Sequence, residues 1–117
     1  MRESDLQRAL VDFCRAVLPS SAVIFAVPNA ARRTRTGRAS NAVPGLMKGV
    51  SDLVILPKPH CVIFAEIKTP RGKIADEQEA FGALVRPLGH HFAVWRSIED
   101  ARNTFVALQI RTREALP

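Results

Sequence analysis

Apolar residues at positions 6, 9, 10, 13 and 17 recur at three- and four-residue spacing, which predicts an amphipathic helix near the amino terminus. Ser4-Asp5-Leu6-Gln7 reads as its capping box, and the helix ends before Pro19. Ala22 to Val27 is a short apolar, β-branched run between Ser20-Ser21 and Pro28-Asn29, which fits a buried strand. From Ala30 to Val50 the apolar pattern stops, and Arg32, Arg33, Arg35, Arg38, Lys48 and glycines 37, 45 and 49 make a basic loop. Two apolar runs follow, Leu53 to Leu56 and Val62 to Ile67. Pro57 and Pro59 between them cannot donate ladder hydrogen bonds, so that segment reads as the turn of a hairpin. Thr69-Pro70-Arg71-Gly72-Lys73 breaks the pattern before a helix from about Asp76, with Phe81, Leu84 and Val85 on one face and Pro87 and Gly89 at its end. His91 to Trp95 predicts a fourth strand, and Ser97-Ile98-Glu99-Asp100 caps a last helix with Ala101, Phe105 and Leu108 inward. The predicted order is αβββαβα, an α/β chain without an internal repeat.

At 117 residues the chain is long enough for one core and one domain, spanning 1–117. Its 47% hydrophobic and 24% charged residues are those of an ordinary globular protein and exclude the composition of disordered chains. Against 11 acidic residues stand 17 basic ones, a net charge of +6 that favours a polyanionic partner, nucleic acid ahead of membrane. A merely soluble basic protein fits the same balance. Cys14 falls in a helical apolar pattern and Cys61 beside a strand, so neither reads as a disulfide staple. With His60, His90 and His91 the only histidines, no pair of ligand doublets has zinc-site spacing, and His90-His91 reads as a strand end. The first residues carry no signal-peptide core and no apolar run spans a membrane, so the expected location is cytoplasmic.

The chemistry lies in the hairpin. If its turn centres near Pro59, residues whose numbers sum to about 118 face each other, and Asp52 meets Glu66. Alternation along the strand puts Glu66 and Lys68 on one face, with opposed Cβ atoms about 4.5 to 5.5 Å apart. The flanking residues are apolar on both faces, so the charges sit partly buried at the end of a sheet. Two opposed carboxylates repel and raise one another's pKa, and one lysine balances only half the charge. A divalent cation would resolve this, and hard oxygen ligands suit Mg²⁺ or Mn²⁺. An ordinary cross-strand ion pair between Lys68 and one acid is the alternative that spacing leaves open.

Asp52, a spacer, then Glu66-Ile67-Lys68 resembles the PD-(D/E)xK nuclease signature. A longer train carries more: Glu3 and Gln7 opening the first helix, Pro28-Asn29 after the first strand, Lys48-Gly49-Val50-Ser51-Asp52, Glu66-Ile67-Lys68-Thr69, Gly72 and Gln78. In order and spacing this resembles the virus-type replication-repair nuclease (VRR-NUC) domain from Glu3 to about Ser97. The resemblance implies a restriction-endonuclease-like core, a mixed β-sheet flanked by helices. Within it Glu3, Asp52 and Glu66 would supply carboxylates to a Mg²⁺ or Mn²⁺ site, with the Ile67 carbonyl a further ligand. Lys68 would position or activate the attacking water and stabilise developing charge, and Gln78 would orient the set. Ser51 departs from the proline often found there, a residue that shapes the turn without donating chemistry.

The alternatives for single residues are a helix-end charge for Glu3, a solvated helix residue for Gln78 and a solvated surface for the loop arginines. Beside a phosphate-cutting site, Asn29, Arg32, Arg33, Arg35, Arg38 and Lys48 instead form a nucleic-acid-binding set that grips the backbone. The expected activity is metal-dependent endonucleolytic hydrolysis of DNA, structure-specific on branched DNA such as four-way junctions, by a homodimer. Val106, Ile110 and Ala42 to Met47 offer apolar surface for the dimer. A non-cleaving nucleic-acid-binding module on the same fold is the first rival, and a structural or anti-restriction protein docking an acidic surface the second.

Overall fold

A computed structural model describes residues 1–28 and 44–114. Its elements are α1 (Glu3–Val17), β1 (Val23–Ala26), β2 (Leu53–Leu56), β3 (Ile63–Ile67), α2 (Asp76–Val85), a 3-10 turn (Arg86–Leu88), β4 (His91–Trp95) and α3 (Ile98–Ala107). Among the described residues this is a mixed α/β chain of three helices and four strands. Among the described residues the four strands form one mixed sheet in the order β1-β2-β3-β4, antiparallel except for the parallel β3–β4 pair. Parallel neighbours require a crossover, and α2 supplies it.

The β2–β3 register pairs Leu53 with Ala65, Val54 with Phe64 and Ile55 with Ile63, each summing to 118. The turn between them closes with His60 in the left-handed region at φ 60°. Leu53, Ile55, Ile63, Ala65, Ile67 and Trp95 share one face of the sheet and pack in one core with Leu10 and Cys14 of α1 and Ala101 and Phe105 of α3. Within that core the Trp95 indole Nε1–H donates to Thr104 Oγ1 at 2.9 Å, so the one buried indole is satisfied. On the opposite face Phe81 of α2 meets Phe64 and Phe92 edge-on.

Four expectations need correction. The amino-terminal cap of α1 is Arg2, without a side-chain cap bond, and not Ser4. The Arg2 carbonyl accepts the N–H groups of Asp5 and Leu6, both at 3.1 Å, so backbone alone starts the helix one residue before Ser4. β1 is not a buried strand: among the described residues it lies at the edge of the sheet, paired with β2, and Val23 and Phe25 are each 47% exposed. On α2 the inward residues are Gln78, Phe81, Gly82 and Val85, while Leu84 is 59% exposed. Gly82 leaves room for the Phe92 ring, whose Cδ2 lies 2.8 Å from where a Cβ would stand. Ile110 lies beyond α3 in the buried core and offers no dimer surface, although Val106 is exposed.

Cys14 and Cys61 are both buried and unpaired, and burial pushes the Cys14 thiol up to about 12, which leaves it inert at neutral pH. Among the described residues no helix is long and apolar enough to cross a membrane.

Candidate active site

Asp52 directly precedes β2, and two hydrogen bonds fix it. Its carbonyl accepts the Val27 N–H at 2.9 Å, and its Oδ2 accepts the Ile67 N–H at 2.8 Å. One step beyond Leu53–Ala65, the ladder sets Asp52 opposite Glu66, as the hairpin register predicts. Ser51, in the position before the aspartate, is buried and its hydroxyl donates to the Leu53 carbonyl at 3.2 Å, so it closes the local turn with no free polar atom.

Glu66 points to the face that α2 covers and is fully buried. Gln78, in the first turn of α2, spans two neighbours: its Nε2 donates to Glu66 Oε1 at 2.7 Å, and its Oε1 accepts the Ala75 N–H at 2.8 Å. One side chain thus caps α2 and holds the carboxylate. Lys68 Nζ stands 3.9 Å from the same Oε1, with both side chains nearly enclosed. Glu66 Oε2 is buried and has no hydrogen-bond partner. Burial, then the charge and close approach of Asp52, drive the Glu66 carboxyl up to about 8, against the opposing pull of Lys68. Glu3 adds to the rise, so its charge at the start of α1 acts on the same carboxyl.

A carboxyl raised in the folded state stabilises the fold fully below its unfolded value of 4.5, and that contribution is lost as pH climbs through about 8. The metal-free protein is therefore expected to lose thermal stability between these limits. Glu66→Gln keeps the shape and removes the titration, so it is expected to raise the unfolding midpoint at pH 8.5 by about 4 °C or more for each ~1 kcal/mol relieved. Thermal melts across pH, with both proteins melting in parallel as the contrary outcome, check this.

The structure brings Asp52, Glu66, Lys68 and Gln78 together and sets Glu3 within electrostatic reach. Among the described residues no three His, Cys, Asp or Glu side chains are gathered into a group that could hold a metal. The Ile67 side chain lies in the core and its N–H is spent on Asp52, which leaves the carbonyl as its one available donor atom. A pocket of about 520 Å³ opens beside these residues, lined by Asp52, Lys68 and Gln78 together with Leu46, Met47 and Lys48. Of the expected nucleic-acid-binding set, Lys48 borders the pocket; Asn29, Arg32, Arg33, Arg35 and Arg38 lie outside the described residues.

Two contributors escaped sequence reasoning. Gly49, at φ +83°, packs its Cα against the Glu77–Gln78 peptide so closely that a Cβ would overlap the Glu77 carbonyl oxygen. Arg96 Nη1 donates to the carbonyls of Thr69 at 2.8 Å and Gly72 at 2.6 Å, which fastens the turn following Lys68. Both contacts join residues more than 20 positions apart, and no local pattern signals them. Comparison of the chain with protein-family models, curated proteins and solved structures gives no significant match.

Proposed function

We propose that the chain is a metal-dependent DNA endonuclease with a restriction-endonuclease-like core of the virus-type replication-repair kind. The observation that carries this reading is the pairing of the half-buried Asp52 with the fully buried Glu66, whose Oε2 is unpartnered and beside which Lys68 stands. A glutamate that its surroundings keep largely protonated at neutral pH, with one buried oxygen unpartnered, is poorly suited to a plain structural ion pair with Lys68. An oxygen left without a donor suits a cation, and the hard-oxygen set of Asp52, Glu66 and the Ile67 carbonyl is of the kind that takes Mg²⁺ or Mn²⁺, while Glu3 acts on it from α1 through its charge.

Bound there, the cation would polarise a phosphoryl oxygen and ease deprotonation of water. The chain's own residues do the rest. Asp52, fastened to Val27 and Ile67, and Glu66, fastened to Gln78, present fixed oxygens that need no rearrangement during reaction. Lys68 places a positive charge where negative charge develops as the phosphodiester is cleaved, and orients the attacking water. Lys48, which lines the pocket, and the basic sequence from Arg32 to Arg38 supply positive charge for the phosphate backbone.

The expected substrate is branched DNA, cut by a homodimer that delivers two sites to opposite strands of a four-way junction. Incubation with linear, flap and four-way-junction DNA in Mg²⁺, Mn²⁺ or chelator tests this, alongside light scattering. Metal-dependent nicking that favours junctions, by a dimer, is the expected result. Cutting of all forms alike by a monomer would remove the resolvase part, and DNA binding without cutting in any metal would favour a non-cleaving module.

A further inference from the structure

The pocket beside Asp52 and Lys68 has apolar lining that the hydrolysis does not use. Val27 and Pro28 line it together with Leu46 and Met47, which are 45% and 53% exposed. Singly exposed apolar side chains are ordinary on protein surfaces. Here two large ones stand side by side on a turn and face the same cavity as two catalytic groups. Gly45 and Gly49, at φ +81° and +83°, bracket that turn, and the close seat of Gly49 on Glu77 fixes the turn relative to α2. The cavity, about 520 Å³, falls among those that take whole organic ligands, about 300–1,000 Å³, and exceeds what a cation and one phosphoryl group need.

The lining thus combines charged groups, Lys48, Lys68 and Asp52, with the apolar Val27, Pro28, Leu46 and Met47. A nucleotide has the same division: an anionic phosphate joined to a flat base whose faces are apolar enough to stack. Resting on the nuclease reading above, we propose that Leu46 and Met47 form a subsite for an unpaired nucleobase flanking the scissile phosphate. A base inside an intact duplex has both faces stacked, so entry requires unstacking, which costs a few kcal/mol and least where the nucleotide is already unpaired. Leucine, methionine and proline are side chains that proteins set against unstacked bases. The subsite makes the chain prefer branched DNA in which the nucleotide at the cut can leave its stack, at the exchange point of a junction or the base of a flap, whatever the sequence.

The test uses flap DNA carrying either a normal base or an abasic residue at each unpaired position next to the branch, bound in Ca²⁺ and read by anisotropy. Wild type is expected to bind the base-containing flap about 5-fold more tightly than the best-placed abasic one, the lower end of the range for stacking on aromatic side chains, which this lining lacks. The Leu46→Ser/Met47→Ser double variant is expected to lose that difference and to bind abasic flap as wild type does. Met47→Ser alone gives a smaller change in the same direction and serves if the double variant does not fold. Equal affinity of wild type for base and abasic flaps, or a preference that survives both variants, would overturn the subsite. Parallel assays in Mn²⁺ separate the two readings: cleavage without base preference removes the subsite and leaves the nuclease, and base preference without cleavage does the reverse. Failure to bind any flap would remove both.

Discussion

Asp52→Asn is expected to lower cleavage by about 10³-fold or more, with fold and DNA affinity retained, because it removes a hard anionic ligand and a fixed charge from the reacting centre. Asparagine keeps an oxygen at Oδ, so the bond from the Ile67 N–H survives and the end of β2 stays anchored. A second consequence follows from the charge pair. Asp52 is, after burial, the largest cause of the raised Glu66 carboxyl, so removing its charge lets that carboxyl fall toward its ordinary range. The variant should therefore show a shallower loss of stability with rising pH than the wild type, even as activity disappears. Cleavage kinetics and melts across pH measure both effects, and wild-type cutting would take Asp52 out of the mechanism. Lys68→Ala differs in kind: it is expected to lose most cleavage and keep Mn²⁺ affinity, since its ammonium repels cations and acts on water and substrate.

Gly49→Ala is expected to be among the most destabilising small substitutions in the chain. Its φ of +83° is disfavoured for alanine, and the added methyl would occupy the space of the Glu77 carbonyl oxygen, which belongs to the first turn of α2. Strain and displacement together should cost about 2–4 kcal/mol, or about 10 °C in the unfolding midpoint. Gly45→Ala supplies the control, because Gly45 has nearly the same φ, +81°, with nothing within 4 Å of the added atom. It should cost only about 1 kcal/mol. Since Gln78 follows Glu77 and holds Glu66, the Gly49 variant should also cut more slowly than its loss of folded protein explains. Equal melting of the two variants would mean that the seat of the turn on α2 carries no energy.

The hairpin and its carboxylates were legible because strand periodicity is strict. Two prolines mark the turn, the period of two fixes which residues face each other, and the observed pairs sum to 118 as expected. The same period sets Asp52 opposite Glu66 from the sequence alone. Helix starts were less legible: Ser4 has the side chain for a cap, yet the Arg2 carbonyl begins α1 without one. The exposure of β1 could not be read, since Val23 to Ala26 has the same apolar composition at a sheet's edge as at its centre. Leu84 and Gly82 were exchanged for a related reason, because apolar periodicity credits leucine with the inward position that a glycine takes when an aromatic ring presses on it. The seat of Gly49 and the grip of Arg96 depend on long-range approach of backbone to backbone or side chain to carbonyl. Neither has a local signature.

The most direct test of a metal-dependent nuclease centred on Asp52, Glu66 and Lys68 is the initial rate of cleavage of end-labelled flap DNA as Mn²⁺ is titrated into chelator-treated protein. Cutting that is absent in chelator, rises to saturation with Mn²⁺ and vanishes in Asp52→Asn is the predicted result. DNA that stays intact at every metal concentration, or that is cut equally in chelator and by the Asp52→Asn protein, would contradict it.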